Sequence, residues 1–111
     1  MIVRDQFHAD PRDVSLPQAL AALSDPLRLR IVDLLDRNGE MECGDIYRTL
    51  GVSKSAASHH FRILRESGLV RRNRQGIKQS AKLRRQEFDE AFPHLLDVVL
   101  TNFAHGTQIA P

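Results

Sequence analysis

The sequence predicts a mostly α-helical domain that carries one small β-hairpin, in the order α-α-α-α-β-β-α. Three observations lead to that fold class. Apolar residues recur at helical spacing in five segments between Leu16 and Phe103. Turn and cap residues (Ser24-Asp25-Pro26, Asn38-Gly39, Gly51, Gly68) separate the first four of those segments. Leu69 to Asn73 and Lys78 to Leu83 read as two short strands around an Arg74-Gln75-Gly76 turn.

A chain of 111 residues fits one compact domain. Residues 1 to 15 hold five charged side chains and few spaced apolar positions, so a mobile N-terminal arm or a loosely docked extra turn is expected there. In the first helix, Pro17 suits an opening position and Ala19, Leu20 and Leu23 repeat at helical spacing. Asp25 is placed to cap the second helix, whose buried stripe is Leu27, Ile31, Leu34 and Leu35. Asn38-Gly39 tolerates the left-handed conformation that closes it.

Cys43 to Leu50 forms a short third helix anchored by Ile46, Tyr47 and Leu50. Gly51 makes a tight turn, and Ser53 caps a fourth helix that Gly68 closes. A short helix, a glycine turn and a second amphipathic helix spell a helix-turn-helix, and the basic hairpin after it is a wing. The last apolar positions, Phe88, Phe92, Leu95, Leu96, Val99 and Phe103, describe one long helix in which Pro93 should force a kink or a restart. A core of this size hardly needs so long an apolar helix at its far end, so a subunit interface is expected on it. The domain is thus read over residues 16 to 103, with 104 to 111 as a frayed tail.

The fourth helix carries the chemistry. Advanced by about 100° per residue, Lys54, Ser55, Ser58, Arg62 and Arg65 fall within one arc of about 100°, with His59 at its edge. Ala57, His60, Phe61 and Leu64 fall on the other side, which makes His60 a core histidine and His59 an exposed one. The polar face holds cations, hydroxyls and an imidazole but no acid, as a polyanion partner requires. Charge along the chain agrees. Between residues 54 and 85 stand ten Lys and Arg (Lys54, Arg62, Arg65, Arg71, Arg72, Arg74, Lys78, Lys82, Arg84, Arg85) against Glu66 alone. Of the chain's sixteen basic and fourteen acidic side chains, this leaves six and thirteen elsewhere. Such asymmetry is the footprint of a nucleic-acid surface.

Two stretches, ALSDPLRLRIVDLL (Ala22 to Leu35) and GVSKSAASHHFRILRESGLV (Gly51 to Val70), followed by the basic hairpin, resemble the ArsR/SmtB family of winged-helix bacterial repressors. The resemblance covers roughly residues 16 to 100. It implies a homodimeric, sequence-specific DNA-binding regulator whose first and last helices pair. The interface would then use Leu16, Leu20, Phe88, Phe92, Leu95, Leu96, Val99 and Phe103. The fourth helix would enter the major groove of a double-stranded operator, and the wing would lie beside it. Ser53, Lys54, Ser55, Ser58, His59 and Arg62 are the helix residues expected at DNA, and Arg71, Arg72, Arg74 and Lys78 those of the wing.

The family's metal sites do not carry over. Its C-x-C-D pattern aligns with Glu42, Cys43, Gly44 and Asp45, so both thiolate positions are filled by other residues. Its C-terminal site finds His94 and Asp97 at the right spacing but no D-x-H upstream. A metal- or thiol-responsive repressor using Cys43, or the histidines His8, His94 and His105, is the lesser alternative. So is a winged helix used to bind protein, which would want an apolar patch where the charge lies. No cofactor is expected, and any small-molecule effector is unknown. Cys43 with His59 or His60 offers no oxyanion device, so an enzyme is not expected. No apolar run approaches the roughly 20 residues that span a bilayer, and the amino end lacks a secretory apolar core. With a single cysteine the expected location is the cytoplasm, away from membranes.

Overall fold

The computed structural model describes residues 7 to 106. After a 3₁₀ turn at Pro11–Asp13 come α1 (Leu16–Ala22), α2 (Pro26–Asn38), β1 (Met41–Glu42), α3 (Cys43–Leu50) and α4 (Lys54–Glu66). The hairpin β2 (Val70–Gln75) and β3 (Lys78–Leu83) follows, then α5 (Arg85–Ala91) and α6 (Leu95–Gly106). This is a winged helix-turn-helix. Phe61, Phe88, Ile31, Leu35, Ile46, Leu64, Leu69 and Leu96 are the largest of its fully buried side chains, drawn from α2 through α6.

Local chemistry explains the helix ends. Ser15 accepts from the Gln18 N–H at 3.2 Å to open α1, and Asp25 Oδ2 accepts from the Leu27 and Arg28 N–H groups at 2.9 and 3.0 Å to open α2. Ser53 Oγ accepts from the Ala56 N–H at 3.1 Å to open α4. Gly51, at φ 67° and ψ 36°, makes the left-handed turn that folds α3 back toward α4.

Two features of the sheet depart from the expectation. A third strand exists: β1 joins β3 antiparallel, Met41 opposite Ala81 and Glu42 opposite Ser80. Two residues are too few to show alternation, so the strand has no signature of its own. The hairpin turn is also tighter than expected. Arg74 and Gln75 belong to β2, Gln75 pairs with Lys78, and only Gly76 and Ile77 lie between. At Pro93 the C-terminal helix restarts, one of the two outcomes expected there, with His94 at φ 67° between α5 and α6. Helix α6 then runs past the expected Phe103 boundary to Gly106, and residues 107 to 111 of the tail lie outside the described residues.

At the amino end the chain takes the docked turn, one of the two expectations there. Residues 1 to 6 lie outside the described residues, and residues 7 to 15 are docked. The Ala9 N–H donates to the Arg65 carbonyl at 3.0 Å, and Arg84 Nη1 donates to the Ala9 carbonyl at 2.5 Å. Pro11 is fully buried and Val14 is 7% exposed. Gly68, at φ 77°, makes room for this segment: a Cβ there would come within 2.9 Å of Pro11. A run this short has no apolar period, so its docking depends on partners distant in sequence.

Candidate nucleic-acid interface

The turn at Gly51 and the Ser53 cap set α4 so that Ala57, Phe61 and Leu64 sink into the core at 0% exposure. On its other side Ser53, Lys54, Ser55, Ser58, His59 and Arg62 are all exposed. Arg62 Nη2 lies 3.5 Å from His59 Nδ1, and Ser53 Oγ lies 3.3 Å from Ser55 Oγ. The structure thus brings all six predicted helix residues onto one open surface. Lys54 and Arg62 can neutralise phosphate there, Arg62 can also meet a guanine edge with two donors, and the serines can donate or accept.

The wing is less uniform. Arg71, Arg74 and Lys78 are exposed, with Lys78 Nζ 3.7 Å from Glu42 Oε1 on β1. Arg72 is not part of that surface. It is half-buried, its guanidinium 5.2 Å from the centre of the Phe61 ring, and it donates to Gln79 Oε1 and, at 3.7 Å, to Cys43 Sγ. Strand alternation is the reason. Two residues after buried Val70, Arg72 faces the core side of β2. The period-2 pattern from Val70 is the signal that could have found it.

Arg65 departs as well. The angular count puts it on the polar arc, yet it is 8% exposed, with Nε and Nη1 buried and unbonded among the described residues. Burial, then the nearby Arg72 guanidinium, pushes its pKa below the ordinary arginine value. The docked segment reaches the end of α4, where the Ala9 N–H donates to the Arg65 carbonyl at 3.0 Å. His60 points inward as expected, 18% exposed, 3.1 Å from Arg28 Nη1 and 3.7 Å from Asp25 Oδ2. Arg28 was missed because a lone arginine on the wet side of a helix carries no sequence signal.

Of the residues expected at a subunit interface, Phe88 and Leu96 are at 0% exposure within the protomer's own core and are not available to a partner. Phe92 stacks 4.9 Å from Phe88. Phe92, Leu95, Val99 and Phe103 are half-buried, while Leu16 and Leu20 on α1 are 50% and 45% exposed. Val98, absent from the expected set, is 56% exposed. Leu16, Phe92, Leu95 and Val98 share an open recess of about 390 Å³. The helix restart at His94 resets the angular phase of α6, which is why one continuous stripe did not separate buried Leu96 from exposed Val98.

Cys43 is 4% exposed at the start of α3, and burial, then the adjacent Cys43, raises the pKa of Tyr47. Among the described residues no group of three His, Cys, Asp or Glu side chains is placed to hold a metal ion, and the His105 side chain lies outside them. No helix among them is long and apolar enough to cross a membrane.

A helix-turn-helix with a basic, acid-free outer face on its second helix and a cationic hairpin beside it defines a DNA-binding transcriptional regulator. A helix-turn-helix domain family model matches residues 23–73. The chain is 34% identical over 83 residues to the uncharacterized HTH-type transcriptional regulator YceK of Bacillus subtilis, covering 74% of this chain and 83% of that one. It is 36% identical over 86 residues to the HTH-type transcriptional regulator NmtR of Mycobacterium tuberculosis, covering 78% and 68%. The homodimeric winged helix-turn-helix domain Mb0332 of Mycobacterium bovis, a possible ArsR-family regulator, matches in structure with a TM-score of 0.65 at 27% identity, over 81% of this chain and 82% of that one. The chain belongs to the ArsR/SmtB family of transcriptional regulators and is not an enzyme.

Proposed function

We propose that this regulator represses transcription in the cytoplasm as a homodimer, with α4 of each protomer in the major groove of a two-fold operator. The sidedness of α4 carries the reading: Lys54, Ser55, Ser58, His59 and Arg62 stand exposed opposite buried Ala57, Phe61 and Leu64. Lys54 grips phosphate, Arg62 reads a base edge or phosphate, and Ser53, Ser55, Ser58 and His59 supply shorter polar contacts. Arg71, Arg74 and Lys78 hold the flanking backbone from the wing. The homodimer is supported by the exposed apolar side chains of Leu16, Leu20 and Val98 and by the homodimeric Mb0332 domain. The repressor acts without the family's metal sites, because Glu42 and Gly44 occupy the thiolate positions.

The test is titration of duplexes selected from a random library at several salt concentrations. The reading predicts a steep fall of affinity with salt and a strong preference over random duplex. Lys54→Ala and Arg62→Ala each weaken binding by about 1–3 kcal/mol while leaving the dimer and its melting temperature unchanged. A shallow salt slope with no sequence preference sinks it.

A further inference from the structure

The first half of α4 is thinly anchored. From Lys54 to His60 only Ala57 is buried, so the segment meant to face a groove is held by one methyl group and whatever His60 reaches. His60 reaches Arg28. Arg28 Nη1 lies 3.1 Å from His60 Nδ1, and because a guanidinium has no acceptor, Nδ1 must accept, leaving the ring proton on Nε2. The same guanidinium donates through Nε to the Ala22 carbonyl at 2.7 Å and through Nη2 to the Ala21 carbonyl at 3.3 Å. Those are the last carbonyls of α1, where a cation is favoured, and the Ala21 carbonyl also accepts from the Ser24 N–H at 3.2 Å and the Ser24 hydroxyl at 2.7 Å. Asp25 completes the cluster by capping α2 through the Arg28 N–H at 3.0 Å. One side chain therefore joins three helices: α1, whose Leu16 and Leu20 are exposed, α2, on which it sits, and α4.

We propose that Arg28 is a positioning residue for operator recognition, setting α4 against α1 through its bond to His60. The inference rests on reading α4 as the groove-facing helix and α1 as part of the dimer face. A two-fold protein on two half-sites holds its recognition helices about 34 Å apart, so a small rotation at the α1–α4 junction misplaces one helix when the other is seated. A protomer on a single half-site carries no such constraint. Arg28 and His60 thus act on the two-half-site duplex without touching DNA.

The experiment compares the full chain with His60→Leu, His60→Asn, Arg28→Met and the Arg28→Met/His60→Leu double variant. Each is titrated against a selected two-half-site duplex and against a duplex holding one half-site, with dimer mass and melting temperature measured alongside. Asn keeps an acceptor at the Nδ1 branch position; Leu does not. His60→Leu and Arg28→Met each lose about tenfold in affinity for the two-half-site duplex, keep their single-half-site affinity and salt slope, and the double variant is no worse than the weaker single one. His60→Asn stays within about threefold of the parent. Equal losses on both duplexes, a shallower salt slope for His60→Leu, or failure of His60→Asn to rescue overturns the proposal. If one variant does not fold, the Asn and Arg28 arms still decide it. A parent that shows no salt-dependent duplex binding removes the underlying reading instead, and that is visible before any variant is compared.

Discussion

The guanidinium of Arg72 lies 5.2 Å over the ring of Phe61, so a cation written into the wing is held against the buried side of α4. Arg72 and Arg74 are therefore different residues despite their shared chemistry. Arg72→Ala removes the ring contact and the bond to Gln79, and should cost about 1–2 kcal/mol of stability while leaving the salt slope of DNA binding unchanged. Arg74→Ala should do the reverse, lowering the slope by about 1 with no change in melting temperature. Urea denaturation and salt titration of the two variants check this.

Gly68 and Gly51 both have a positive φ, 77° and 67°, but different neighbours. A Cβ at Gly51 meets nothing within 4 Å, whereas one at Gly68 meets Pro11 at 2.9 Å. Gly51→Ala should cost about 1 kcal/mol for left-handed strain alone, and Gly68→Ala roughly 2–4 kcal/mol because the docked N-terminal segment must also move. Denaturant midpoints of the two variants give the difference. Equal costs would show that the Pro11 segment gives way freely.

Arg84 donates to both Glu87 oxygens, at 3.1 and 2.7 Å, and that bonding holds the Glu87 carboxyl below its ordinary value of 4.5. A depressed carboxylate contributes stability that is fully present above the ordinary value and is lost as pH falls through the depressed one. Glu87→Gln should therefore destabilise the protein by about 1 kcal/mol near neutral pH and by little in strong acid, Glu87 being half exposed. The check is the difference in unfolding free energy between variant and parent across the acid range.

Leu20 and Val98 are 45% and 56% exposed, while Phe88 is wholly buried. Leu20→Glu and Val98→Glu should shift sedimentation toward monomer with little loss of folded signal, because a charge left in an apolar contact opposes association. Phe88→Ala should cost about 3–5 kcal/mol of fold stability through the cavity it leaves. A Phe88→Ala protein that melts like the parent but fails to dimerise would reverse the assignment.

Much of the fold was legible because caps, periods and turns act over a few residues. Ser53, Asp25 and Gly51 announced helix boundaries that their bonds and dihedral angles bear out. The outward turn of His59 and inward turn of His60 followed from 100° steps alone. The strand Met41–Glu42 was not legible, being defined only by its partners Ala81 and Ser80 some forty residues away. Nor was the loss of Arg65 from the polar surface, since composition counts a buried arginine and an exposed one alike, whereas the inward turn of Arg72 was open to the period-2 pattern from Val70.

The sequence by itself determined the order of elements, the two-faced fourth helix and the basic stretch that marks a DNA partner. These depend on local backbone preference and on side-chain period, which neighbours in the chain establish. Only the tertiary structure decided which cations remain open, which interface residues the protomer already buries and which side chain ties α1 to α4. Those outcomes depend on what each face meets, and a periodic pattern states a direction without naming the surface that lies there. The polar face of α4 was written locally; its attachment through His60 and Arg28, 3.1 Å apart across 32 residues of chain, was made by packing.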